Sequence, residues 1–309
     1  MRSPRRASPR SKAARRWRDG AEYRALAAAF ADCPLDAPDS AADRAERLLA
    51  DAGLAGALLA PLVEALAADR FFEPPLRIAR DAARTGAVLF DGPAATITAS
   101  VTDATTLATR PAPATIVFAG RVTVTRYVKA GGATLRRWRT DPLTPGFTAA
   151  DAPPCVPLAP IHLSDGDLHR VDGRIHAHQL RDAAGEVVML VAAIRAGHDP
   201  LIREYRVADG ALTRVASADD RASRTELLLT FLRLAGRADA GERFAAATHD
   251  PAFHLRWAAM REWLALDAEA ALPRLSEMAA SDPNAEVRAA ATLTLIAVRR
   301  RIDETRCRA

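Results

Sequence analysis

A series of short segments rich in β-branched residues runs from about residue 76 to residue 218 and constrains the fold more than any other feature of the chain. About nine such segments follow one another at intervals of roughly 8–12 residues, a spacing typical of antiparallel sandwiches and barrels. Gly131-Gly132, residues 182–185 and Asp209-Gly210 each lie between two segments, and each predicts a β-hairpin. Six prolines between residues 140 and 160 predict a long loop. The sequence therefore predicts an antiparallel β-sandwich or jelly roll over residues 76–218.

Helical patterns flank this region on both sides. Leucines recur at helical spacing within residues 20–75, where Pro74 and Pro75 end the pattern. A second helical region runs over residues 219–303. Together with a basic, acid-free segment at the start, which we expect to be disordered, these regions predict an α+β multidomain protein. The predicted domains are 1–19 (disordered basic tail), 20–75 (helical segment), 76–218 (β-sandwich) and 219–303 (helical repeats).

The C-terminal helical region contains an internal repeat. "DPAFHLRWAA" begins at Asp250 and "DPNAEVRAAA" begins 32 residues later, at Asp282. An Asp followed by Pro is a favoured helix start, because Asp caps the first turn and Pro fits its first position. Arg256 and Arg288 occupy the same position in the two copies. We expect them to form a ladder of hydrogen bonds to neighbouring acids, with a row facing a partner as the alternative.

The second copy resembles the second helix of a HEAT repeat. Asp282, Val287, Arg288, Ala291 and Leu295 match the positions of D-x-x-x-x-V-R-x-x-A-x-x-x-L. HEAT-like arrays usually bind proteins, so the resemblance implies a protein partner at this end of the chain.

The β region resembles the cupin superfamily, most clearly in "LSDGDLHRVDGRIHAH" (163–178). Gly166-Asp167, Gly173 and His176 or His178 match the Gly-Asp turn, second turn and histidine of the second cupin motif. The resemblance implies a jelly roll with a ligand or metal site inside it. In cupins the first motif supplies H-x-H and Glu to the metal, whereas this chain has no histidine before His162. We therefore expect no cofactor.

A metal site remains the alternative to that expectation. His176 and His178 form the chain's H-x-H, and residues i and i+2 of a strand share a face. His169 lies seven residues earlier and could join them across a turn. Three histidines would suit one divalent transition metal such as Zn, Fe or Ni. The competing interpretation is an outward polar face on an edge strand, with Val171 and Ile175 on the buried face.

The charge distribution argues against nucleic acid as a partner. Eight basic residues lie within residues 1–18, and the rest of the chain has 35 basic and 38 acidic residues. A second basic cluster surrounds Gly131-Gly132, with Tyr127 and Trp138 interleaved. Such a cluster could bind nucleic acid or an anionic ligand. A solvated, arginine-rich strand face explains the cluster as well. Its basic residues are Arg126, Lys129, Arg136, Arg137 and Arg139.

Three widely spaced cysteines fit a reducing compartment, and no apolar run has membrane-spanning length. We therefore expect a cytoplasmic protein with no membrane association. Cys155 has no basic neighbour in sequence that would activate it.

No complete catalytic or cofactor motif occurs in the chain. The leading hypothesis is a non-catalytic binding, regulatory or scaffold protein. Its helical end would bind a protein, and its cupin-like core would hold a small-molecule ligand or serve as a structural core. The alternative is a metal-dependent cupin-type enzyme, of the oxygenase or isomerase class, that uses His169, His176 and His178.

Overall fold

The computed structural model of the protein describes residues 15–144, 147–218 and 220–306. Contacts between residues divide the chain into two compact units. Unit 1 comprises residues 1–142, 154–199 and 203–213, and unit 2 comprises residues 143–153, 200–202 and 214–309. Residues 1–14 of the predicted tail lie outside the described residues.

Unit 1 begins with three helices. The helices are α1 (Ala21–Phe30), α2 (Pro38–Ala50) and α3 (Leu54–Ala68). Helix α2 starts with Pro at its first turn and buries Ala41, Ala42, Ala45 and Leu49, which recur at helical spacing along one face. A further short helix, α4 (Ala104–Thr109), begins at Asp103, whose side chain accepts a hydrogen bond from the Thr106 amide. No single helix in the described ranges is long and apolar enough to cross a membrane, and the bent pair of α2 and α3 meets that measure only when taken together.

Twelve strands form three antiparallel sheets among the described residues. The six-stranded sheet has the order β1 (Arg77–Arg80), β2 (Arg84–Asp91), β3 (Ala95–Thr102), β10 (Val187–Ile194), β5 (Val122–Lys129) and β8 (Leu168–Asp172). One three-stranded sheet has the order β7 (Val156–His162), β6 (Thr134–Arg139) and β9 (His176–Arg181). The other has the order β12 (Leu212–Ser217), β11 (Leu201–Arg206) and β4 (Thr115–Phe118). The predicted antiparallel β architecture is confirmed.

The six-stranded sheet has two different faces because side chains alternate along a strand. Val122 and Val124 of β5, with Leu190 and Ala192 of β10, pack in the cluster that contains the buried residues of α1 and α2. Residues of opposite parity, such as Tyr127, face the sheet formed by β7, β6 and β9 and pack with its apolar side chains. The two sheets therefore enclose an interior between them, which is the geometry of a sandwich.

Two of the three predicted hairpins are wrong. Strands β5 and β6, on either side of Gly131-Gly132, belong to different sheets, and so do β9 and β10, on either side of residues 182–185. Gly131 has φ +59°, and a Cβ there would lie 2.2 Å from the Gly185 carbonyl oxygen. The connection from β5 to β6 and the connection from β9 to β10 both run from one sheet to another, and they touch at Gly131. This close approach, and not a hairpin turn, requires the glycine. The hairpin at Asp209-Gly210 is confirmed, because β11 pairs with β12.

Two other predictions need correction. The proline-rich loop ends early, because Val156–His162 forms β7, an edge strand that pairs with β6. Its prolines are tolerated because an edge strand has one side without sheet hydrogen bonds. The predicted disordered tail is also too long: Trp17 is 6% exposed, and its indole Nε1 donates to the Leu58 carbonyl at 2.8 Å.

Unit 2 contains a helical bundle with its own core. Its helices are α5 (Asp220–Leu234), α6 (Gly241–Ala247), α7 (Phe253–Leu266), α8 (Ala268–Ser281) and α9 (Ala285–Arg306), with a short 3₁₀ helix at Ala238–Ala240. Phe244, Met260, Trp263, Leu275 and Met278 are among the buried residues of this core. The HEAT-like character of these helices stays a prediction.

The two repeat arginines have different contacts. Arg256 donates to both carboxylate oxygens of Asp282, at 2.9 and 2.7 Å, and so joins the first copy of the repeat to the second. Arg288 donates to the backbone carbonyls of Asp282 and Pro283, within its own copy. The expected ladder to an acid is therefore present for Arg256 and absent for Arg288 among the described contacts.

Candidate functional site

A cavity of about 350 Å³ that opens to solvent lies in unit 1 and is called the inner cavity below. Strands β3, β5, β9 and β10 supply most of its walls, and residues from the start of β2 and from α4 complete them. Its lining residues are Asp81, Ala83, Arg84, Thr102, Leu107, Arg110, Thr123, Thr125, Tyr127, His178, Leu180, Met189 and Val191. Its volume is at the small end of the range that is usual for sites binding small molecules.

The strand β5 contributes Thr123, Thr125 and Tyr127 to the inner cavity because residues two apart share one face. In the sequence "VTVTRYVK" the residues Val122 and Val124 alternate with the threonines and pack in the cluster that contains the helices. A polar set at alternate positions is usually read as a solvated face. Here the six-stranded sheet is covered on both faces, so the polar set lies inside the sandwich.

Four hydroxyl groups line the inner cavity. They belong to Thr102, Thr123, Thr125 and Tyr127, and none of them makes a hydrogen bond with any residue in the described ranges. Tyr127 is 1% exposed, and Thr102 and Thr125 are each 5% exposed. None of these oxygens is among the fully buried side-chain atoms without a partner, because the cavity opens to solvent. Water or a ligand inside the cavity can therefore serve as their hydrogen-bond partner.

The protonation states of the two ring side chains follow from their burial. Burial raises the pKa of the Tyr127 hydroxyl, with a nearby Asp167 adding to this rise and Arg84 opposing it, so the phenol keeps its proton. Burial also lowers the pKa of His178, and the neighbouring His169 and Arg137 act in the same direction. His178 is therefore a neutral imidazole at neutral pH, with one donor and one acceptor nitrogen.

The three predicted metal ligands border a second, smaller cavity of about 150 Å³, called the histidine cavity. His169 of β8 and both His176 and His178 of β9 line it, and His178 lines the inner cavity as well. The interpretation of His176 and His178 as an outward polar face is therefore wrong. The alternate residues of β9 point away from the histidine cavity, since Ala177 packs with Phe118 and Tyr205.

The donor set of the histidine cavity does not fit a metal ion as it stands. In the parts of the chain that the structure describes, no three His, Cys, Asp or Glu side chains come together in an arrangement that could hold a metal. Arg137 also lines this cavity, and its positive charge, which acts on His178, opposes a divalent cation. The metal site at His169, His176 and His178 stays a prediction.

The basic cluster around Gly131-Gly132 is dispersed by the fold. Tyr127 and Trp138 are buried at 1% and 6% exposure, so their rings cannot stack on nucleic acid bases. Arg126 donates to the carbonyls of Leu49 and Ala50, both at 2.9 Å, which closes the C-terminus of α2. The sequence placed Tyr127 in a surface cluster and missed its position in the inner cavity.

Cys155 is buried, and burial raises the pKa of its thiol. A raised pKa lowers the fraction of reactive thiolate, and the assignment of Cys155 as unreactive stays a prediction.

Comparisons with known proteins identify similar structures but no family. No family model matches the chain, and no curated protein matches it. Solved structures of cupin-fold proteins match part of it. Hydroxypropylphosphonic acid epoxidase from S. wedmorenis, in complex with fosfomycin, is 13% identical, with a TM-score of 0.26 over 38% of this chain and 55% of that chain.

Two further structures are similar to the same extent. Ectoine synthase from P. lautus is 12% identical, with a TM-score of 0.23 over 38% of this chain and 68% of that chain. The capsular polysaccharide assembling protein CapF from Staphylococcus aureus is 12% identical, with a TM-score of 0.27 over 43% of this chain and 34% of that chain. The chain spans about half the length of the epoxidase and a third of CapF. The strand pairings of this chain themselves define its sandwich.

Proposed function

We propose that unit 1 is a cupin-like, non-catalytic binding domain that holds a small molecule in the inner cavity. The observation that carries this proposal is the Tyr127 hydroxyl, which is almost fully buried, keeps its proton and has no hydrogen-bond partner among the described residues. Structural tyrosines that are buried usually find a hydrogen-bond partner for the hydroxyl within the protein. Tyr205 has such a partner, because its hydroxyl accepts from Thr140 at 3.0 Å.

The remaining walls of the inner cavity support the same proposal. Leu107, Leu180, Met189 and Val191 give it an apolar surface, and the hydroxyls lie among them. An apolar pocket with a small number of unpaired polar groups is the usual composition of a ligand site, because the apolar surface supplies affinity and the polar groups fix orientation. A core that served only packing would fill this space with side chains.

A pair of matched variants tests the proposal. Leu107→Trp places a larger side chain at the wall of the inner cavity, whereas Thr105→Trp adds the same side chain to an exposed position of the same helix. Full-length protein is purified from its native host, and the small molecules released on denaturation are identified by mass spectrometry. We expect a molecule enriched in wild type and Thr105→Trp but depleted in Leu107→Trp. Equal small-molecule content in all three proteins would contradict the proposal.

A metal-dependent enzyme is the second candidate function. The observation that favours it is that His169, His176 and His178 line one cavity. A metal there would supply Lewis-acid or redox chemistry, and the unpaired hydroxyls of the adjoining inner cavity would orient a substrate. The absence of a three-ligand cluster among the described residues weighs against this candidate. Elemental analysis of wild type beside His176→Ala/His178→Ala tests it.

A protein partner for unit 2 also remains a prediction. Helix α5 exposes Leu227, Leu228, Phe231 and Leu234, each more than 60% exposed, on the surface where such a partner would be sought. Exposed apolar residues at helical spacing are a common feature of helix-binding surfaces.

A further inference from the structure

The charged groups of the inner cavity are not balanced. Arg84, Arg110 and Asp81 all line it, and all three are exposed to solvent. The Asp81 carboxylate accepts hydrogen bonds from the Ala83 and Arg84 amides, at 2.9 and 3.0 Å. These bonds, with the charges of Arg110 and Arg84, hold its pKa below the ordinary value. The lining therefore has two permanent positive charges and one negative charge, while His178 is neutral.

The two guanidinium groups have unused hydrogen-bonding capacity. Arg84 donates once from its side chain, to the Ser100 hydroxyl at 3.1 Å, although a guanidinium has five N–H donors. The side chain of Arg110 makes no hydrogen bond and no ion pair with any residue in the described ranges. By contrast, Arg170 and Arg174 of the same unit are each paired with carboxylates.

Arg84 and the buried hydroxyls are close enough to act on one ligand. Arg84 begins β2 and pairs with Thr102 of β3, and its positive charge acts on the Tyr127 hydroxyl. Tyr127, Thr102 and Thr125 can each donate a hydrogen bond from within the cavity. Guanidinium groups and hydroxyl donors together match the oxygens of a carboxylate or a phosphate, because each such oxygen accepts several hydrogen bonds.

We propose that the ligand of the inner cavity carries a carboxylate or phosphate group that binds Arg84 and Arg110, with the Tyr127 hydroxyl donating to the same ligand. This inference rests on the proposed function and adds the chemical class of the ligand. The apolar side chains Leu180, Met189 and Val191 would contact the uncharged part of the molecule.

Three probes of similar size test the ligand class by calorimetric titration of the full-length protein. Benzoate and phenyl phosphate represent the two anionic groups, and benzamide replaces the carboxylate of benzoate with a neutral amide. We expect at least one of the two anions to bind about tenfold more tightly than benzamide, since a charge-assisted hydrogen bond is roughly twice as strong as a neutral one. The stronger of the two anions distinguishes a carboxylate ligand from a phosphate ligand.

Two sets of variants locate the charge contact. Arg84→Gln/Arg110→Gln should weaken binding of the preferred anion by tenfold or more and leave benzamide binding unchanged. Arg80→Gln removes an exposed arginine that does not line the cavity and should change neither. Leu107→Trp should reduce binding of every probe, which confirms that binding occurs in the inner cavity.

The outcomes separate this inference from the proposed function. If benzamide binds as tightly as both anions and the double arginine variant has no effect, the ligand class is wrong and the cavity remains a binding site. If none of the three probes binds at millimolar concentration, or if Leu107→Trp leaves their binding intact, both the ligand class and the site are wrong.

Discussion

The buried ion pair of unit 2 allows a quantitative prediction about the repeat. Arg256→Ala removes the guanidinium that pairs with the Asp282 carboxylate. The Arg256 side chain is 8% exposed and the Asp282 side chain is 1% exposed. The variant leaves the Asp282 carboxylate with the Asn284 amide as a hydrogen-bond donor and without the guanidinium that balanced its charge. Removing one partner of a buried pair costs about 3–5 kcal/mol, because the remaining charge is left uncompensated. We expect a loss of stability in that range.

Arg288→Ala is the matched comparison, because it changes the same position of the second copy. Its guanidinium donates to backbone carbonyls at a partly exposed site and contacts no described carboxylate. Its removal should cost about 1 kcal/mol, the usual net value of such hydrogen bonds. Arg261→Ala, at an exposed position of α7, should change stability by less than about 0.5 kcal/mol.

Urea unfolding of the full-length variants, followed by circular dichroism and tryptophan fluorescence, measures these differences.

The pH dependence of stability gives a further check. Burial alone would raise the pKa of Asp282, but the hydrogen bonds and charge of Arg256 outweigh burial and hold it below 3.8. The stability from the pair is therefore present above pH 3.8 and is lost as pH falls through the folded-state pKa. The cost of Arg256→Ala should be full at pH 7 and smaller below about pH 3.8. Equal costs for Arg256→Ala and Arg288→Ala at pH 7 would refute the ladder.

Three further predictions concern unit 1. Deleting residues 1–14 should leave the melting temperature unchanged. Trp17→Ala should lower the stability by about 3–5 kcal/mol, because a buried ring and its hydrogen bond are lost. A Trp17→Ala variant with the melting temperature of wild type would place Trp17 outside the fold. Gly131→Ala should destabilise the protein by more than about 2 kcal/mol, because the added Cβ meets the Gly185 carbonyl. Gly132→Ala should cost only the roughly 1–2 kcal/mol of its positive φ, because the nearest atom to its Cβ is 4.0 Å away. Urea unfolding compares the two variants, and a larger cost for Gly132→Ala would contradict the contact. Purified protein should hold well below one Zn, Fe, Ni or Mn per chain by elemental analysis, and a full equivalent that disappears in His176→Ala/His178→Ala would establish the metal site instead.

The strands could be predicted from sequence better than their partners could. Alternation of β-branched residues placed β3, β5 and β10 to within about one residue at each end, because a half-buried strand imposes a period of two. Sheet membership depends on contacts between distant segments. A glycine pair such as Gly131-Gly132 permits a tight turn and equally permits a crossing between sheets, so local sequence does not decide between them.

The candidate site was harder to predict than the fold. The three histidines attracted attention because metal motifs are defined by residue type and spacing. Tyr127 and Thr125 belong to no such motif. Their importance comes from being buried with no hydrogen-bond partner among the residues that the structure describes. The available signal was the alternation of Thr123, Thr125 and Tyr127 with the valines of β5. That signal becomes informative only once both faces of the sheet are known to be covered.

Methyl NMR of the full-length protein tests the central claim most directly. The chain has four methionines, so selective ¹³C labelling of methionine methyl groups gives a simple spectrum. Met189 lines the inner cavity, whereas Met260 and Met278 lie in the core of unit 2 and serve as internal controls. On addition of the anion that binds most tightly, the Met189 signal should shift in wild type and Thr105→Trp, and it should stay in place in Leu107→Trp. A bound anion that leaves Met189 unshifted, or that shifts Met260 and Met278 instead, would contradict the assignment of the inner cavity as the binding site.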